Sequence, residues 1–467
     1  MKNRALYISL ITSLVGAFAL VIFAAPKTKT EPKAGAIRVL FLGHESEHHN
    51  SNKFYPMLAK GLGSDAIYFD YVTSVEEALG DAAYLGKFDA LLLYANHGTI
   101  TPNQWKNLKE YVETGGGFVP VHCASWCFGN EPAFDQLVGG RFDSHKVGTF
   151  ISKVVDPKHP AMEGVKEFEA WDETYKHKNH NEKNRQVLMV REVAGKEDNI
   201  TEPEPWTWVR TQGKGRVFYT ASGHDERVWK QSAFHQLLKA GILWSVGNER
   251  KQSYEEFIAE RAPLKYEKRG DIANYENRPE PLPYQFPLKA EDSMNYTQAP
   301  VGFRLELFAS EPDIINPIGL AWDERGRLWA AETVDYPNEM TPDRVGNDKI
   351  KILEDTDGDG KCDKVTVFAD GLNIPTSLTF SRGGIIVAHV PDFLFLKDTD
   401  GDDKADVREV LNTGWGTGDT HAGPSNLRYG FDNWIWGAVG YSLSLIHISE
   451  PTRRRGISFG VVCVEKK

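Results

Sequence analysis

Histidine residues follow several of the predicted β-strands in the first half of the chain. The apolar runs Ile37–Leu42, Phe88–Tyr94, Gly117–Val121 and Gly215–Thr220 are each typical of a buried strand. Imidazoles act as general acids and bases and as ligands of zinc and similar ions. We expect a polar pocket for a metal or a sugar, formed by His48, His97, His122, His145 and His224. No tight His-x-x-x-His spacing singles out a metal, and an inert structural set of histidines is the alternative.

A second candidate group is Trp171, Asp172 and Glu173, which are consecutive in the sequence. An aromatic side chain beside carboxylates is a common arrangement for binding sugars, so these three residues are candidates for the lining of the same pocket. A packed tryptophan next to a solvated acidic pair would have the same sequence.

The strands that precede these residues alternate with helical segments. Lys53–Gly61 fits a helix, and Thr101–Thr114 starts with an N-cap threonine before Pro102 and ends at Gly115. This alternation predicts a parallel sheet with helices on both faces. Ligands of such sheets bind beyond the carboxyl ends of the strands, where the histidines are found.

Residues 36–248 carry five motifs that resemble the ThuA-like (trehalose utilisation) family. The motifs are Gly115–His122, Gly139–Phe142, His159–Gly164, Trp171–Tyr175 and Gly213–Glu226. The resemblance implies an α/β flavodoxin-like fold, similar to that of class I glutamine amidotransferases. It also implies a role in the metabolism of disaccharides and keto-sugars.

The same fold resemblance suggests a nucleophile. Class I amidotransferases have a cysteine on a tight strand-to-helix turn and a His-x-Glu sequence after a late strand. Cys123, His224 and Glu226 match these positions, so they are a candidate catalytic triad. ThuA-like proteins usually have serine at this turn, and Cys123 could instead pack or form a disulfide with Cys127.

The second half of the chain has a different character. Residues 249–299 are rich in charge and proline and predict a semi-rigid linker with one short helix near Tyr254–Glu260. Beyond it, three segments share the pattern Pro-x-x-Leu-x-aromatic, a turn and an apolar strand: Pro317–Trp329, Pro375–Val387 and Pro424–Trp436. Repeats of ~40–50 residues made of short strands are typical of β-propeller blades. Residues 300–442 therefore predict a truncated all-β propeller.

This region resembles the N-terminal propeller of the membrane-bound dehydrogenases of planctomycetes and verrucomicrobia, which is similar to glucose/sorbosone dehydrogenases. The resemblance rests on Pro300–Pro312, Ala321–Thr333 and Asp419–Asn426. It implies oxidation of a sugar by a quinone such as PQQ, with an electron acceptor and with His421 as the base. No Cys-x-x-Cys-His haem motif occurs in the sequence.

Two acidic loops lie within the predicted propeller. Both have carboxylates at loop positions 1, 3, 5 and 9, an alternation that suits Ca²⁺. The first has Thr366 where a bidentate glutamate would lie, and the second has Asp403 in place of the usual glycine. We expect two blade-connecting calcium loops, and unoccupied Asp/Gly turns are the alternative. The candidate ligands are Asp355, Asp357, Asp359, Asp363, Asp398, Asp400, Asp402, Asp406 and Glu409.

The two ends differ from the rest of the 467-residue chain, which has a formal charge of −11. Residues 1–25 combine a basic start with a long uncharged run and predict a signal peptide or an N-terminal membrane anchor. The protein would then be exported, either periplasmic or membrane-anchored. Residues 443–467 resemble a translated sequencing adapter, and we interpret them as an artefact; a genuine basic tail is the alternative. An acidic chain is a poor candidate for binding nucleic acid, and four cysteines exclude a disulfide-dense scaffold.

Together these features predict an exported carbohydrate-processing protein. Its ThuA-like domain and its sugar-dehydrogenase-like propeller would act on a sugar or keto-sugar substrate. Two alternatives remain: a non-catalytic protein that binds glycans or partners, and a hydrolase or amidotransferase that depends on Cys123.

Overall fold

The computed structural model describes residues 35–193, 196, 198–271, 283–336 and 340–439, and the backbone of 460–464. The predicted signal peptide or anchor and most of the adapter-like segment lie outside these residues. Within the described part of the chain, no helix combines the length and hydropathy needed to cross a membrane. The chain forms two units, of which the first ends at Leu288 and also includes Asn295–Phe303, while the second consists of Lys289–Met294 and the residues from Arg304 onward.

The first unit is built on a nine-stranded sheet with the order β2-β1-β3-β4-β11-β10-β9-β6-β7. Neighbours among β2, β1, β3, β4 and β11 pair in parallel, and the remaining neighbours pair in antiparallel fashion. Two short pairs, β5–β8 and β12–β13, lie outside this sheet. The strands are β1 (Ile37–Leu42), β2 (Ile67–Val72), β3 (Ala90–Leu93), β4 (Gly117–Pro120), β5 (Arg141–Ser144), β6 (Val147–Val154), β7 (Glu169–Glu173), β8 (Lys176–Lys178), β9 (Arg185–Arg191), β10 (Glu204–Gln212), β11 (Gly215–Thr220), β12 (Tyr266–Glu267) and β13 (Tyr284–Gln285).

Helices connect the parallel strands, as the alternation in the sequence predicts. They are α1 (Ser51–Gly63), α2 (Val75–Leu79), α3 (Ala82–Leu85), α4 (Pro102–Glu113), α5 (Pro132–Val138), α6 (Glu226–Trp229), α7 (Ser232–Ser245) and α8 (Asn248–Glu260), with short 3-10 helices at His122–Trp126 and Pro160–Met162. At the start of α4, Thr101 and Gln104 form a reciprocal capping box that satisfies two backbone donors. The predicted parallel α/β arrangement is confirmed, and its core is the fully buried face of strands such as β1 and β3.

The first unit extends beyond residue 248, where the sequence analysis placed its boundary. Helix α8 contains the short helix predicted near Tyr254–Glu260 and packs on this unit. The Tyr254 side chain is buried and its hydroxyl donates to Asp65 O at 2.7 Å. Arg250 pairs with the Asp89 carboxylate at 3.0 Å. Most residues of α8 are charged or polar, and Tyr254 is its one buried residue. Its composition is therefore that of a linker, which is why the sequence analysis placed the boundary before it.

The described residues of the second unit form one short helix and three antiparallel sheets. The sheet orders are β14-β15-β16-β17, β18-β19-β20-β21 and β22-β23-β24. The elements are α9 (Ala290–Met294), β14 (Pro317–Trp322), β15 (Leu328–Glu332), β16 (Asp348–Glu354), β17 (Lys364–Leu372), β18 (Pro375–Ser381), β19 (Gly384–His389), β20 (Asp392–Lys397), β21 (Val407–Thr413), β22 (Ser425–Tyr429), β23 (Ile435–Val439) and β24 (Gly460–Val464).

Each of the three sequence repeats corresponds to the first two strands of one sheet. The β14–β15, β18–β19 and β22–β23 hairpins are therefore equivalent, as the repeat pattern predicts. Apolar side chains of the first two sheets, among them Trp329, Phe368 and Val387, form one shared core. The region is β-rich, and a propeller ring stays a prediction.

Candidate functional site

Four residues from distant parts of the sequence meet at the carboxyl ends of the parallel strands. His49 lies between β1 and α1, His122 follows β4, His224 follows β11, and Glu173 ends β7. One ligand atom from each of these four side chains lies within 4.8 Å of every other. We call these four residues the His–Glu cluster.

The Glu173 carboxylate is the centre of the cluster. Its Oε2 lies 3.2 Å from His122 Nε2 and 3.6 Å from His49 Nε2. Its Oε1 lies 3.2 Å from His224 Nδ1 and 3.5 Å from His145 Nε2. The side chains of Glu173, His49 and His122 are at most 4% exposed, whereas those of His224 and His145 are 22% and 38% exposed. Solvent therefore reaches the cluster from the side of His224 and His145.

Local backbone geometry holds two of the histidines in place. His49 and His122 have φ angles of 55° and 50°, in the left-handed region that non-glycine residues rarely adopt. Such conformations cost on the order of 1–3 kcal/mol each and tend to occur at functional sites. His122 Nδ1 donates to Ala221 O at 2.6 Å, and the Tyr175 ring stacks on the imidazole with centroids 4.1 Å apart. His122 Nε2 is thus directed at His49 and Glu173.

Asp172 fixes the loop that carries His224. Its carboxylate is fully buried and accepts hydrogen bonds from the backbone N–H groups of Gly223 at 2.8 Å and His224 at 2.9 Å. Gly223 has a φ of 134°, and a Cβ there would lie 3.3 Å from the Val121 side chain. Burial raises the pKa of Asp172 to about 6 even though these hydrogen bonds favour the charged form. Asp172 therefore serves as a positioning residue.

Burial and neighbouring charges shift the pKa values of several groups in the cluster. Burial lowers the pKa of His49 to about 3. Burial also lowers the pKa of His224, partly offset by the charge of Glu173. For Glu173, burial alone would raise the pKa, but the neighbouring imidazoles of His122, His49 and His224 bring it well below its usual value. The cluster can accept and donate protons, and the lowered pKa values of His49 and His224 favour the neutral imidazole, which is the form that binds metals.

Two families of domains match the sequence. Residues 38–245 match the family described as trehalose utilisation, ThuA. Residues 38–245 are a ThuA-like domain. Residues 289–464 match a domain of unknown function, DUF7133. This second match extends into the segment that the sequence analysis interprets as adapter-derived, and that interpretation stays a prediction.

Solved structures similar to the ThuA-like domain include two bacterial proteins. A ThuA-like protein from Bacteroides uniformis is 20% identical over 46% of this chain and 94% of its own, with a TM-score of 0.40. A ThuA-like protein from Parabacteroides merdae is 20% identical over 45% of this chain and 90% of its own, with a TM-score of 0.39. No curated protein sequence matches the chain significantly. The domain indicates a carbohydrate-related function in general terms.

Other predicted pocket residues of the ThuA-like domain lie around the cluster or outside it. The exposed His48 ring lies 4.0 Å from His49 and 5.6 Å from His224, measured between centroids. The ring nitrogen Nε2 of His97 is bonded to Gly43 O at 2.8 Å, so this side chain is used structurally. The Arg227 guanidinium lies 4.0 Å from the centroid of the Trp171 ring.

The candidate triad of the ThuA-like domain is not assembled in the structure. Cys123 and Cys127 are buried free thiols, and burial raises the pKa of Cys123 well above its usual value, which disfavours the thiolate. The Glu226 carboxylate contacts Lys53 at 2.6 Å and Lys230 at 2.7 Å rather than orienting His224. Of the three residues, His224 is the one that belongs to the cluster.

Sequence reasoning missed three residues of the site: His49 in the cluster, Tyr175 against the His122 ring, and Asn96, whose amide nitrogen lies 3.2 Å from His49 Nδ1. His49 follows β1 directly after His48, and the pattern alone does not say which of the two faces inward. The structure selects His49, because its left-handed backbone directs the side chain into the domain.

The two acidic loops of the second unit occupy equivalent positions. Each joins the third and fourth strands of one sheet, so they connect strands within a sheet rather than neighbouring blades. Oxygens of Asp355, Asp357 and Asp359 lie within 4.8 Å of one another, and so do those of Asp398, Asp400 and Asp406. The remaining candidates, Asp363, Asp402 and Glu409, are outside these two groups.

The second loop keeps the expected turn despite its substitution. Asp403 adopts a φ of 62° where Gly360 of the first loop adopts 87°. The Asp403 carboxylate binds the Arg327 guanidinium at 2.9 Å, so this carboxylate faces away from a role as a calcium ligand.

We expect Ca²⁺ to stabilise the second unit if both loops bind it. Millimolar Ca²⁺ at about ten times the dissociation constant stabilises by about 1.4 kcal/mol at each loop, so binding at both should raise Tm by roughly 6–11 °C. The measurement is thermal unfolding of the full chain with and without Ca²⁺. The double variant Asp355→Asn and Asp398→Asn should lose the shift, and an equal shift in that variant would rule out binding at the loops.

Proposed function

We propose that the ThuA-like domain performs acid–base chemistry on a sugar or keto-sugar at the His–Glu cluster. The observation that carries this proposal is one buried carboxylate, Glu173, in contact with four imidazoles at the carboxyl edge of a parallel sheet. Ligands of such sheets bind at this edge. The protein would be an exported carbohydrate-processing enzyme, in line with its N-terminal sequence.

The differences in exposure assign roles within the cluster. His145 is the most exposed of the four imidazoles in contact with Glu173, so it reaches the substrate side, where it can take a proton from a sugar carbon or hydroxyl and return it. The buried Glu173 carboxylate stabilises the positive charge that forms on the His145 ring.

The test is solvent exchange of carbon-bound protons in D₂O, followed by NMR with a panel of keto-sugars and their parent sugars. Wild-type protein should catalyse exchange next to the keto group, and Glu173→Gln and His224→Gln should slow it by about 100-fold or more. His97→Gln is the matched control, because this histidine lies outside the cluster and should leave the rate unchanged. Binding without exchange would support the glycan-binding alternative. Absence of both binding and exchange would contradict the proposal.

For the second unit we propose, from its resemblance, a propeller that belongs to a sugar dehydrogenase. The exposed His421 has its Nδ1 3.0 Å from the Asp419 carboxylate, which would orient the ring as a base. The Tyr336 ring also lies beside His421, with the two ring centroids 5.2 Å apart. An acidic neighbour does not suit a quinone that itself carries carboxylates, so we derive no step through PQQ. Sugar-dependent reduction of a dye acceptor, lost in His421→Ala, is the test of this activity.

A further inference from the structure

Three ligand atoms of the His–Glu cluster have the mutual spacing of a metal site, and the fourth lies within 4.8 Å of them. Ligand atoms 2.0–2.1 Å from a tetrahedral zinc ion lie ~3.3–3.4 Å from one another. In the cluster, His122 Nε2 lies 3.2 Å from both His49 Nε2 and Glu173 Oε2, and the latter two atoms are 3.6 Å apart. His224 Nδ1 adds a fourth donor 3.2 Å from Glu173 Oε1. Three imidazoles and one carboxylate are an ordinary ligand set for divalent first-row metals.

The hydrogen bonds of His122 require a cation in the cluster. Its Nδ1 donates to Ala221 O, so the Nε2 of a neutral ring carries a lone pair. That lone pair faces the lone pairs of Glu173 Oε2 at 3.2 Å, and His49 Nε2 lies at the same distance from it. Two acceptors at this distance repel each other unless a proton or a metal ion lies between them. Burial of both side chains strengthens the repulsion, because little water screens it.

Unpartnered polar atoms around the cluster fit the same interpretation. Among the described residues, His224 Nδ1 is buried and makes no hydrogen bond, although it is aimed at Glu173. Asn96 Oδ1 is also buried without a partner, while the amide nitrogen of Asn96 lies 3.2 Å from His49 Nδ1. Rotation of this amide by 180° lets Oδ1 accept from His49 Nδ1–H, which directs the Nε2 lone pair into the cluster.

We propose that His49, His122, Glu173 and His224 bind one divalent transition-metal ion of the zinc type. Asp172, Asn96 and Ala221 O would hold these ligands from behind, as the outer partners of metal-binding histidines do. Bound there, the ion would polarise a carbonyl or hydroxyl oxygen of a substrate that joined it as a fifth ligand. The inference stands on the geometry of the cluster and does not depend on the identity of the substrate.

The experiment uses the full chain, stripped with a chelator and reloaded with Co²⁺, which reports its ligands by visible absorption. Wild-type protein should bind one ion per chain in the cluster, with the absorption of a nitrogen- and oxygen-ligated site, and Zn²⁺ should displace it. Glu173→Gln and His224→Ala should each weaken binding by about 10-fold or more. His224 is partly exposed, so its alanine variant should fold, and near-UV circular dichroism checks that both variants do.

Two controls make the result specific. His97→Gln removes a nearby histidine outside the cluster, and Asp355→Asn with Asp398→Asn removes the acidic loops; both should bind Co²⁺ like wild type. Absence of a cobalt spectrum in wild-type protein, or an unchanged spectrum in both cluster variants, would overturn the inference and leave a proton as the shared cation. Metal binding without keto-sugar exchange would sustain the metal site while contradicting the proposed function.

Discussion

Replacing Asp172 by alanine should lower the free energy of unfolding of the ThuA-like domain by about 3–5 kcal/mol. The carboxylate is fully buried and accepts the backbone N–H groups of Gly223, His224 and Glu173 at 2.8–3.0 Å. Alanine leaves these donors unsatisfied in a site that water does not reach. Because two of them belong to residues of the His–Glu cluster, the variant should also lose the function of the cluster.

Urea unfolding of the full chain, with hydrogen exchange of peptides that span β11 and α6, measures this effect. Asp172→Asn should lower the free energy of unfolding by an intermediate amount. Its amide oxygen can still accept a hydrogen bond, while its amide NH₂ group faces a backbone N–H that then has no acceptor. Asp225→Asn is the matched control: Asp225 is a nearby, more exposed aspartate that caps α6, and asparagine caps equally well, so the change should be within about 0.5 kcal/mol. Unchanged exchange in Asp172→Ala would refute the positioning role.

The parallel half of the first sheet could be predicted from the sequence because its strands are buried on both faces. Continuous apolar runs such as Ile37–Leu42 and Gly215–Thr220 coincide with β1 and β11 residue for residue. The antiparallel half could not be read in this way. Strand β6 alternates between exposed and partly buried positions and contains a charged residue, so its strand character becomes evident only from pairing with β7 and β9.

The candidate site was predictable as far as it depends on strand ends. His122 and His224 follow β4 and β11, so topology alone brings them to one edge. The choice of His49 over His48 depends on one left-handed φ angle, which no residue pattern encodes. Glu173 lies at the end of the edge strand β7. This strand joins the sheet through β6, whose first part pairs with β7 and whose last part pairs with β9. The pairing that brings this carboxylate to the histidines is a long-range property of the fold.

In the second unit, repetition was the informative signal. The three proline-led segments align as equivalent hairpins because each begins a sheet with the same turn and the same apolar spacing. The acidic loops recur for the same reason, between the third and fourth strands of two sheets. Their position within a sheet was not predictable, since the sequence spacing of 43 residues is the same for a loop within a sheet and a loop between sheets.

Acidification should destabilise the second unit between pH 6.5 and 4, by up to about 3 kcal/mol, through His389. This residue ends β19, is 2% exposed and accepts a hydrogen bond at Nε2 from the backbone N–H of Asn373 at 2.9 Å. Burial lowers its pKa to about 4, and the positive charges of Arg408 and Arg344 act in the same direction against Asp392. In the unfolded chain, His389 is protonated near pH 6.5, whereas in the folded unit it stays neutral down to about pH 4. The contribution of His389 to the free energy of unfolding is therefore complete above pH 6.5 and falls as the pH approaches 4.

Hydrogen exchange of peptides from β18 to β20 at a series of pH values isolates this effect from the histidines of the first unit. Intrinsic exchange rates are corrected at each pH, so the remaining change reports the free energy of opening. His389→Gln keeps an acceptor near Asn373 and cannot be protonated, so its stability should be nearly flat over this range. His421→Gln, at an exposed site of the same unit, should retain the acid dependence of wild type. An acid dependence that persists in His389→Gln would assign it to the carboxylates of the unit instead, because no buried imidazole would then remain at that position to exclude the proton.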